Sequence, residues 1–352
     1  MSLIDTSSAL ADFLPNFGGH DRIAIDTEAD SLHCYFEKLC LIQISLPGID
    51  VLIDPLADFP LAPLYDALKG RELILQGADF DLRLLRRAGG MIAERVFDTM
   101  IAARLVGKTE FSLAALVLQY FGITLAKTSQ KANWAKRPLS EKMAEYAVND
   151  TRFLLPLAKK LEAELRGLGR WEWFQQSCAR AIEISQITRE RDVDSLWRIS
   201  GSSDLRGRAS AVLRALWFWR DEEARAVDRP AFHILRNEEL IECARRFDAG
   251  EHVTIGHFSS SRRQRFFTAA ETALALPEKG WPVVVRKPRL RSTPEEEKRF
   301  HALKNKRDTT AGELKIDPSL IAPKATLEAL ARSSGEAVER LLPWQQSILA
   351  LV

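Results

Sequence analysis

The stretch IAIDTE, which runs from Ile23 to Glu28, places two carboxylates at the end of an otherwise apolar predicted strand. Side chains of a strand alternate between its faces, so Asp26 and Glu28 project from the same side. Two like charges that close together repel one another and resist burial, and a divalent cation bound between them relieves both costs. The pair is therefore either part of a metal site or two solvated acids at the end of a surface strand.

The length and the amino-acid composition are typical of a globular protein. Its 352 residues leave room for two or three domains. No apolar run approaches the roughly 18 residues of a membrane span, and residues 1–20 lack the basic start and apolar segment of a signal peptide. The four cysteines form no Cys-x-x-Cys pair and no disulfide framework. We therefore expect a cytoplasmic protein without membrane association.

Charge is divided unevenly along the chain. Residues 1–150 carry 15 Lys and Arg against 20 Asp and Glu, whereas residues 151–352 carry 35 against 28. This division favours a front part that binds cations and a rear part that binds a polyanion. Solvated helix faces produce a milder asymmetry of the same kind without any partner.

The hydrophobic pattern predicts an α/β layer with a mixed sheet, because strands come first and helices are interleaved later. Strands are predicted over residues 22–27, 38–45, 50–53 and 72–76, and helices over residues 61–69, 80–88, 99–106, 112–120 and 140–165. Ser140 is a suitable N-cap for the last and longest of these helices.

That long helix carries a second informative pair. Tyr146 and Asp150 are four residues apart and so share a helix face, which continues as an apolar stripe. A carboxylate in such a stripe is costly. Asp150 therefore either lies at the rim, bonded to Tyr146 or Asn149, or completes a metal site whose positive charge offsets its desolvation.

A third acid is expected at the turn between the predicted strand 72–76 and the helix that follows. Asp79 and Asp81 both lie there, at the carboxyl end of a sheet strand, where sites in α/β layers usually form. Asp79 is well placed as the N-cap of the helix, which leaves Asp81 to face the site. We favour Asp81 and keep Asp79 as the alternative.

Together these residues resemble the three exonuclease motifs of the DEDD superfamily, in the subgroup whose third motif is Tyr-x-x-x-Asp. The motifs here are Asp26-Thr27-Glu28, Asp81-Leu82 and Tyr146-Ala147-Val148-Asn149-Asp150. Over residues 20–160 the chain resembles the bacterial ribonuclease D family more closely. That resemblance rests on Leu41-Ile42-Gln43, Leu52-Ile53-Asp54-Pro55, Trp134, Arg137-Pro138-Leu139 and Glu145-Tyr146-Ala147. Ala29 departs from the Phe or Thr that many relatives have after the motif glutamate.

The resemblance implies a ribonuclease H-like fold and a 3′–5′ exoribonuclease that hydrolyses phosphodiesters with two metal ions. Asp26, Glu28, Asp81 and Asp150 would bind two Mg²⁺ ions, with Mn²⁺ as a substitute, since an all-carboxylate site suits these metals. Tyr146 would orient the attacking water. The implied substrate is RNA with a free 3′ end, in particular tRNA precursors, which would be shortened with release of nucleoside 5′-monophosphates. No obligate protein partner is expected.

A basic loop precedes the third motif and suggests a path for the substrate. Lys127, Lys131, Lys136 and Arg137 would contact phosphates, and Trp134 would stack on a base. The alternative for Trp134 is that it fills the gap between the nuclease helices.

The rear part resembles the HRDC domain, a small helical bundle that binds nucleic acid or docks proteins. The characteristic string is Trp219-Arg220-Asp221-Glu222-Glu223-Ala224-Arg225. We expect an exonuclease domain over residues 1–168, a connecting helix and hinge over 169–204, an HRDC domain over 205–283 and a second, HRDC-like helical domain over 284–352. The short basic segment 286–291 would be a linker lying over a phosphate backbone or a solubilising surface linker.

Two other functions compete with an exoribonuclease. A DNA exonuclease of proofreading or repair type uses the same acids, and the HRDC fold also occurs in helicases. A non-catalytic RNA-binding protein with a relic site is disfavoured by the complete set of Asp26, Glu28, Tyr146 and Asp150. No residue reports directly on whether a 2′-hydroxyl is sensed.

Overall fold

The computed structural model describes residues 2–126, 128–188, 192–283, 292–332 and 335–351. The described residues fall into two compact units. The first unit is formed from residues 1–29, 38–188 and 290–352, and the second from residues 30–37 and 189–289. No helix among the described residues is both long enough and apolar enough to cross a membrane.

Six strands of the first unit form one mixed sheet. They are β1 (Ser2–Ile4), β2 (Arg22–Ala29), β3 (Leu39–Leu46), β4 (Ile49–Ile53), β5 (Glu72–Leu75) and β6 (Arg95–Asp98). They lie in the order β1-β4-β3-β2-β5-β6. Strand β2 runs antiparallel to β3 and parallel to β5. The predicted mixed sheet is confirmed, and the structure adds the edge strands β1 and β6.

Eight helices surround this sheet within residues 2–188, excluding Lys127. They are α1 (Ser7–Phe13), α2 (Ala62–Leu68), α3 (Asp79–Gly89), α4 (Thr99–Leu105), α5 (Leu113–Phe121), α6 (Glu141–Arg152), α7 (Leu154–Gly167) and α8 (Trp171–Gln186). The helix predicted over 140–165 is thus two helices that meet at Phe153. Ser140 is the N-cap of α6, as predicted, since its hydroxyl accepts a hydrogen bond from the Met143 N–H.

The two faces of β2 are buried in different cores. Ile23 and Ile25 belong to a core that includes residues of α2 and α3. Ala24, on the opposite face, belongs to a core that includes Leu154 and Leu157 of α7. Because Asp26 and Glu28 continue the face of Ala24, this strand geometry directs both carboxylates to the side of the sheet on which α7 packs.

The second unit is a helical bundle formed by α9 (Gly207–Ala226), α10 (Ala231–Ile234), α11 (Asn237–Asp248) and α12 (Ser260–Leu274). The string that resembles the HRDC domain lies on α9 and is largely structural. Trp219 is buried in the bundle core. Arg220 donates hydrogen bonds to the Leu235 carbonyl and to Asn237. Glu223 is paired with two arginines of α12.

Residues 30–37, which follow β2, also belong to this second unit. The Asp228 carboxylate accepts hydrogen bonds from the backbone N–H groups of Tyr35 and Phe36, at 3.0 and 3.1 Å. The Tyr35 hydroxyl donates to Asp221, at 2.8 Å. The segment is therefore tied to α9 and to the turn after it.

The remaining helices correct the predicted domain organisation. They are α13 (Pro294–Leu314), α14 (Pro318–Ile321), α15 (Lys324–Ala331), α16 (Gly335–Glu339) and α17 (Pro343–Leu349). Residues 284–352 were expected to form a separate bundle, but these helices belong to the first unit. They bury their apolar side chains in the core that also contains α7 and α8. The predicted linker 286–291 lies outside the described residues.

Contacts of individual side chains show how these helices join the first unit. Trp344 of α17 stacks on Trp173 of α8, with ring centroids 4.9 Å apart. The buried Arg170 guanidinium donates to the carbonyls of Leu105 and Leu314, at 2.6 and 2.7 Å. The segment 169–204, predicted to connect domains, thus begins with a helix that is itself part of the first unit's core.

Candidate active site

The candidate site lies where β2 ends. The residue order of β2 gives Asp26 and Glu28 one face, and α6 contributes Asp150 to the same place. Carboxylate oxygens of Asp26, Glu28 and Asp150 all lie within 4.8 Å of one another. All three side chains are half-buried, so the cluster is covered on one side and open on the other. Three acids from two distant segments of the chain therefore meet in one small volume.

Asp81 reaches the same end of β2 from α3. Its carboxylate accepts hydrogen bonds from the backbone N–H of Thr27, at 3.0 Å, and from the Thr27 hydroxyl. Thr27 is the residue between Asp26 and Glu28, and its side chain points to the opposite face of the strand. Asp81 is therefore attached directly to the strand segment that carries the first two acids.

The electrostatics of the four acids are those of a site that lacks positive charge. The pKa of Glu28 is raised to about 9, because burial and the charges of Asp150 and Asp81 disfavour its ionised form. Burial, followed by the charges of the other three acids, holds the pKa of Asp26 well above its usual range. A compensating cation would favour the ionised forms of both acids.

Asp150 and Asp81 are shifted in the same direction but less far. Burial raises the pKa of Asp150 to about 7, while a hydrogen bond from the Tyr146 phenol acts in the opposite direction. Burial raises the pKa of Asp81 to about 6, against the stabilising hydrogen bonds from Thr27. The pKa values of Asp150 and Asp81 are therefore raised less than that of Glu28.

Asp79 occupies a different environment from Asp81. It is exposed, and its carboxylate pairs with Arg83 at 2.9 Å along the same helix. The expectation that Asp79 is the N-cap was wrong, since Ala78 occupies that position and Asp79 is the first residue of α3. Because it lies two residues before Asp81 on the helix, it faces solvent instead of β2.

The turn before α3 depends on a residue that sequence reasoning did not single out. Asp98, buried at the end of β6, accepts hydrogen bonds from the backbone N–H groups of Gly77 and Ala78, at 3.0 and 2.8 Å. It also caps the N-terminus of α4. The Asp-Thr pair ahead of a predicted helix was a signal for that cap, but nothing in the sequence indicated the contact with the turn.

Tyr146 lies beside the cluster, half-buried on α6. Burial raises its pKa well above the usual range, and the charges of Asp150 and Glu28 raise it further. The phenol therefore keeps its proton at neutral pH and acts as a hydrogen-bond donor.

Two residues of the predicted RNA-binding loop have structural roles instead. Trp134 is only 1% exposed and packs near the Tyr146 ring, with centroids 6.1 Å apart, so no base can stack on it. Arg137 forms two hydrogen bonds with the Asp54 carboxylate, at 2.5 and 2.6 Å. Its remaining N–H groups donate to carbonyl oxygens, including that of Cys40. Stacking of a base on Trp134 was therefore wrong, and the alternative of a buried Trp134 agrees with the structure. Arg137 fixes the loop to the sheet, and its contact with phosphate stays a prediction.

The lysines of the loop differ from Trp134 and Arg137. Lys131 and Lys136 are exposed, and Lys127 lies outside the described residues. The exposed pair remains a prediction for phosphate contact.

Comparison with known families defines the class of protein. A family model described as a 3′–5′ exonuclease matches residues 1–166, which carry the sheet and all four acids. The model of the HRDC domain matches residues 209–251, within the second unit. The fold and the site therefore belong to an exonuclease followed by an HRDC domain.

Individual relatives narrow the class to one family. Ribonuclease D of Escherichia coli is 30% identical over 339 residues, which cover 93% of this chain and 89% of the relative. Ribonuclease D of Bartonella henselae is 31% identical over 248 residues, which cover 69% of this chain and 61% of the relative. The crystal structure of the Escherichia coli enzyme, described as an exoribonuclease involved in structured RNA processing, matches with a TM-score of 0.71 and 27% identity. That match covers 99% of this chain and 96% of the other. The chain belongs to the ribonuclease D family of 3′–5′ exoribonucleases, which confirms the family, fold class and enzyme class predicted from the sequence.

Proposed function

We propose that this enzyme shortens RNA from its 3′ end with two Mg²⁺ ions bound by Asp26, Glu28, Asp81 and Asp150. The observation that carries the proposal is the convergence of three carboxylates within 4.8 Å of one another. Asp81 supplies the fourth carboxylate from the opposite side of the strand end. The products are nucleoside 5′-monophosphates.

The residues present fit a hard divalent cation. The cluster offers carboxylate oxygens, which Mg²⁺ prefers and which Mn²⁺ also accepts. Burial and the charges of the neighbouring acids raise the pKa values of Asp26 and Glu28, and a bound cation would offset both costs. When bound, two such ions activate the attacking water and stabilise the leaving 3′ oxygen.

Tyr146 supplies a phenol oxygen beside the cluster. Its phenol stays protonated at neutral pH and donates its proton to Asp150 in a hydrogen bond, so its oxygen accepts a hydrogen bond from the attacking water and orients that water toward the phosphorus. Its role is positioning of the nucleophile rather than removal of a proton.

We propose structured RNA, and tRNA precursors in particular, as the substrate. The proposal is supported by membership of the ribonuclease D family and by the description of the Escherichia coli relative. Exposed Lys131 and Lys136 lie in the loop before α6 and would contact phosphates. We further propose that the second unit adds sequence-independent phosphate contacts, and that the enzyme works in the cytosol, where its four cysteines, which form no disulfide with one another, would stay reduced.

The direct test of the catalytic assignment is removal of one ligand at a time. Asp26→Asn and Asp150→Asn should each lower the rate of RNA shortening by about 10³-fold, since a lost metal is worth several kcal/mol. The melting temperature without divalent ions should not fall, because Asn keeps the shape of Asp and cannot ionise beside the neighbouring acids. A variant that keeps nearly the full rate contradicts the assignment.

The substrate class is tested with matched RNA and DNA oligomers that carry free or blocked 3′ ends, in the presence of Mg²⁺. RNA with a free 3′ end should be shortened, and blocked RNA should survive. Faster loss of DNA would overturn the proposed substrate while leaving the metal site intact.

A further inference from the structure

One buried polar side chain of the sheet has no partner that explains its presence. Gln43 lies in the middle of β3 and is fully buried. Neither its side-chain nitrogen nor its side-chain oxygen has a hydrogen-bond partner among the described residues. A buried amide that forms no hydrogen bond costs free energy. A buried amide without a hydrogen-bond partner in the middle of a strand therefore calls for an explanation.

The register of the sheet places Gln43 beside the candidate metal site. Asp26 and Gln43 are directly opposite one another in the antiparallel pair of β2 and β3. Residues opposite one another in such a pair project from the same face, with Cβ atoms about 4.5–5.5 Å apart. The Gln43 side chain therefore emerges next to that of Asp26, within reach of its carboxylate.

The other neighbours of Gln43 cannot satisfy it. On the far side, its partner in β4 is Leu52. Leu52 belongs to an apolar cluster with Leu41, Ala147 and Trp134. The sheet register therefore leaves the Asp26 carboxylate as the acceptor that lies beside the Gln43 amide.

We propose that Gln43 is a positioning residue of the metal site, whose side-chain amide donates a hydrogen bond to the Asp26 carboxylate when the cation is bound. The proposal rests on the metal site proposed above. A ligating carboxylate that accepts a hydrogen bond from outside the metal's own ligands is fixed in orientation, and loss of such a partner typically weakens metal binding 10- to 100-fold. Gln43 would thus keep one Asp26 oxygen turned toward the ion.

The test compares two residues of β3 that share a face but differ in their partners. Gln43→Leu removes both unpaired polar atoms and keeps a similar volume. Ser45→Ala is the matched control, since Ser45 is also buried and hydrogen-bonded, but to Asp50 and Thr151. Affinity for Mg²⁺ alone is measured by titration calorimetry, and stability by the melting temperature in the absence of divalent ions.

The proposal predicts opposite results for the two variants. Gln43→Leu should keep or raise the melting temperature but weaken Mg²⁺ binding at least tenfold. Ser45→Ala should lower the melting temperature and leave Mg²⁺ binding unchanged. A Gln43→Leu protein that binds Mg²⁺ as tightly as the wild type would overturn the inference, because a side chain that only fills space does not change metal affinity.

Two further outcomes separate the possible failures. If Gln43→Leu does not fold, Gln43→Met, which is unbranched and of similar length, replaces it with the same expected loss of affinity. If the wild-type protein itself shows no saturable Mg²⁺ binding, the proposed metal site fails and the inference about Gln43 fails with it. Wild-type binding combined with unchanged binding in both Gln43 variants refutes only the role of Gln43.

Discussion

At the scale of single residues, two aspartates of α3 lie close in sequence and differ in every property that matters for catalysis. Asp81 is buried and attached to Thr27, whereas Asp79 is exposed and paired with Arg83. Of the two, only Asp81 is buried beside β2, so only Asp81 is proposed as a metal ligand.

This contrast makes the two residues a matched pair for mutagenesis. Asp81→Asn should lower the rate of RNA shortening by about 10³-fold, whereas Asp79→Asn should leave the rate within about twofold of wild type. Single-turnover rates at saturating Mg²⁺ measure the difference. Equal loss in both variants would mean that the turn, and not one carboxylate, is what the site requires.

The raised pKa values also predict how metal-free protein responds to pH. Glu28 has a pKa of about 9 in the folded state against an ordinary value of 4.5, so the folded chain holds a proton that the unfolded chain releases at lower pH. The free energy of unfolding should therefore fall as the pH rises from about 4.5 to about 9. The contribution of Glu28 to the free energy of unfolding is fully present below about pH 4.5 and lost above about pH 9.

Melting temperatures measured across this pH range in EDTA check the expected direction. Glu28→Gln should flatten the decline, since the neutral amide does not titrate. Saturating Mg²⁺ should also oppose it, because the cation binds the ionised acids. A melting temperature in EDTA that rises steadily through the window would contradict the described crowding of the acids.

Sequence reasoning succeeded at residues whose position follows from local periodicity. Strand alternation put Asp26 and Glu28 on one face, and helical spacing put Tyr146 with Asp150. For Trp134 it left base stacking and burial both open, and for Arg137 it missed an ion pair, because an aromatic or basic side chain in a loop suits either a ligand or a partner within the protein. The partner of Arg137 is Asp54, 83 residues earlier in the chain, and no local pattern reports such a pairing.

At the scale of elements, the least predictable feature was where helices stop and which core they join. The apolar stripe runs on from α6 into α7, so periodicity alone did not reveal the break at Phe153. Strand β6 was also missed, because its four residues carry too little hydrophobic pattern to predict a strand. The assignment of α13–α17 to the first unit depends on contacts between residues far apart in sequence.

One such contact provides a sharp test of that assignment. Gly107 follows α4 with a φ of +94°, and a Cβ added there would lie 2.5 Å from the Lys315 carbonyl oxygen. Gly122 also has a positive φ, +69°, but an added Cβ would meet nothing within 4 Å. Both glycines have a positive φ, but only Gly107 has a backbone atom packed closely against it.

Gly107→Ala should therefore destabilise the protein more than Gly122→Ala. Both changes carry the cost of a left-handed alanine, about 1–2 kcal/mol. Gly107→Ala should lose about 1–3 kcal/mol more from the forced separation of α4 and the end of α13. Urea denaturation measures the difference, and equal losses would contradict close packing of these two segments.

At the scale of the whole molecule, the two units are not two consecutive stretches of sequence. The nuclease unit includes the last helices of the chain, and the HRDC unit includes residues 30–37. The sequence predicted both folds, but the predicted domains were consecutive ranges of residues, which the two units are not. Truncation after residue 204 would therefore remove part of the nuclease core, so it is unsuitable as a test of the HRDC unit.

Charge substitution in the intact chain tests whether the HRDC unit binds the RNA backbone. Arg206, Arg229 and Arg236 are exposed arginines of that unit. Replacing all three with Gln should reduce the slope of log affinity against log salt by about 0.7 for each phosphate that the protein no longer neutralises. Lys298, Lys306 and Lys324, exposed on α13 and α15, are the matched control and should change the slope less. An unchanged slope in the arginine variant would mean that these side chains do not touch the phosphate backbone.

The proposed chemistry depends on the four acids binding divalent cations. Anomalous scattering from crystals grown with Mn²⁺ tests this most directly. It should show two peaks about 3.5–4 Å apart, bounded by the carboxylates of Asp26, Glu28, Asp81 and Asp150. Crystals that show Mn²⁺ elsewhere on the protein, and no peak among these four carboxylates, would contradict it.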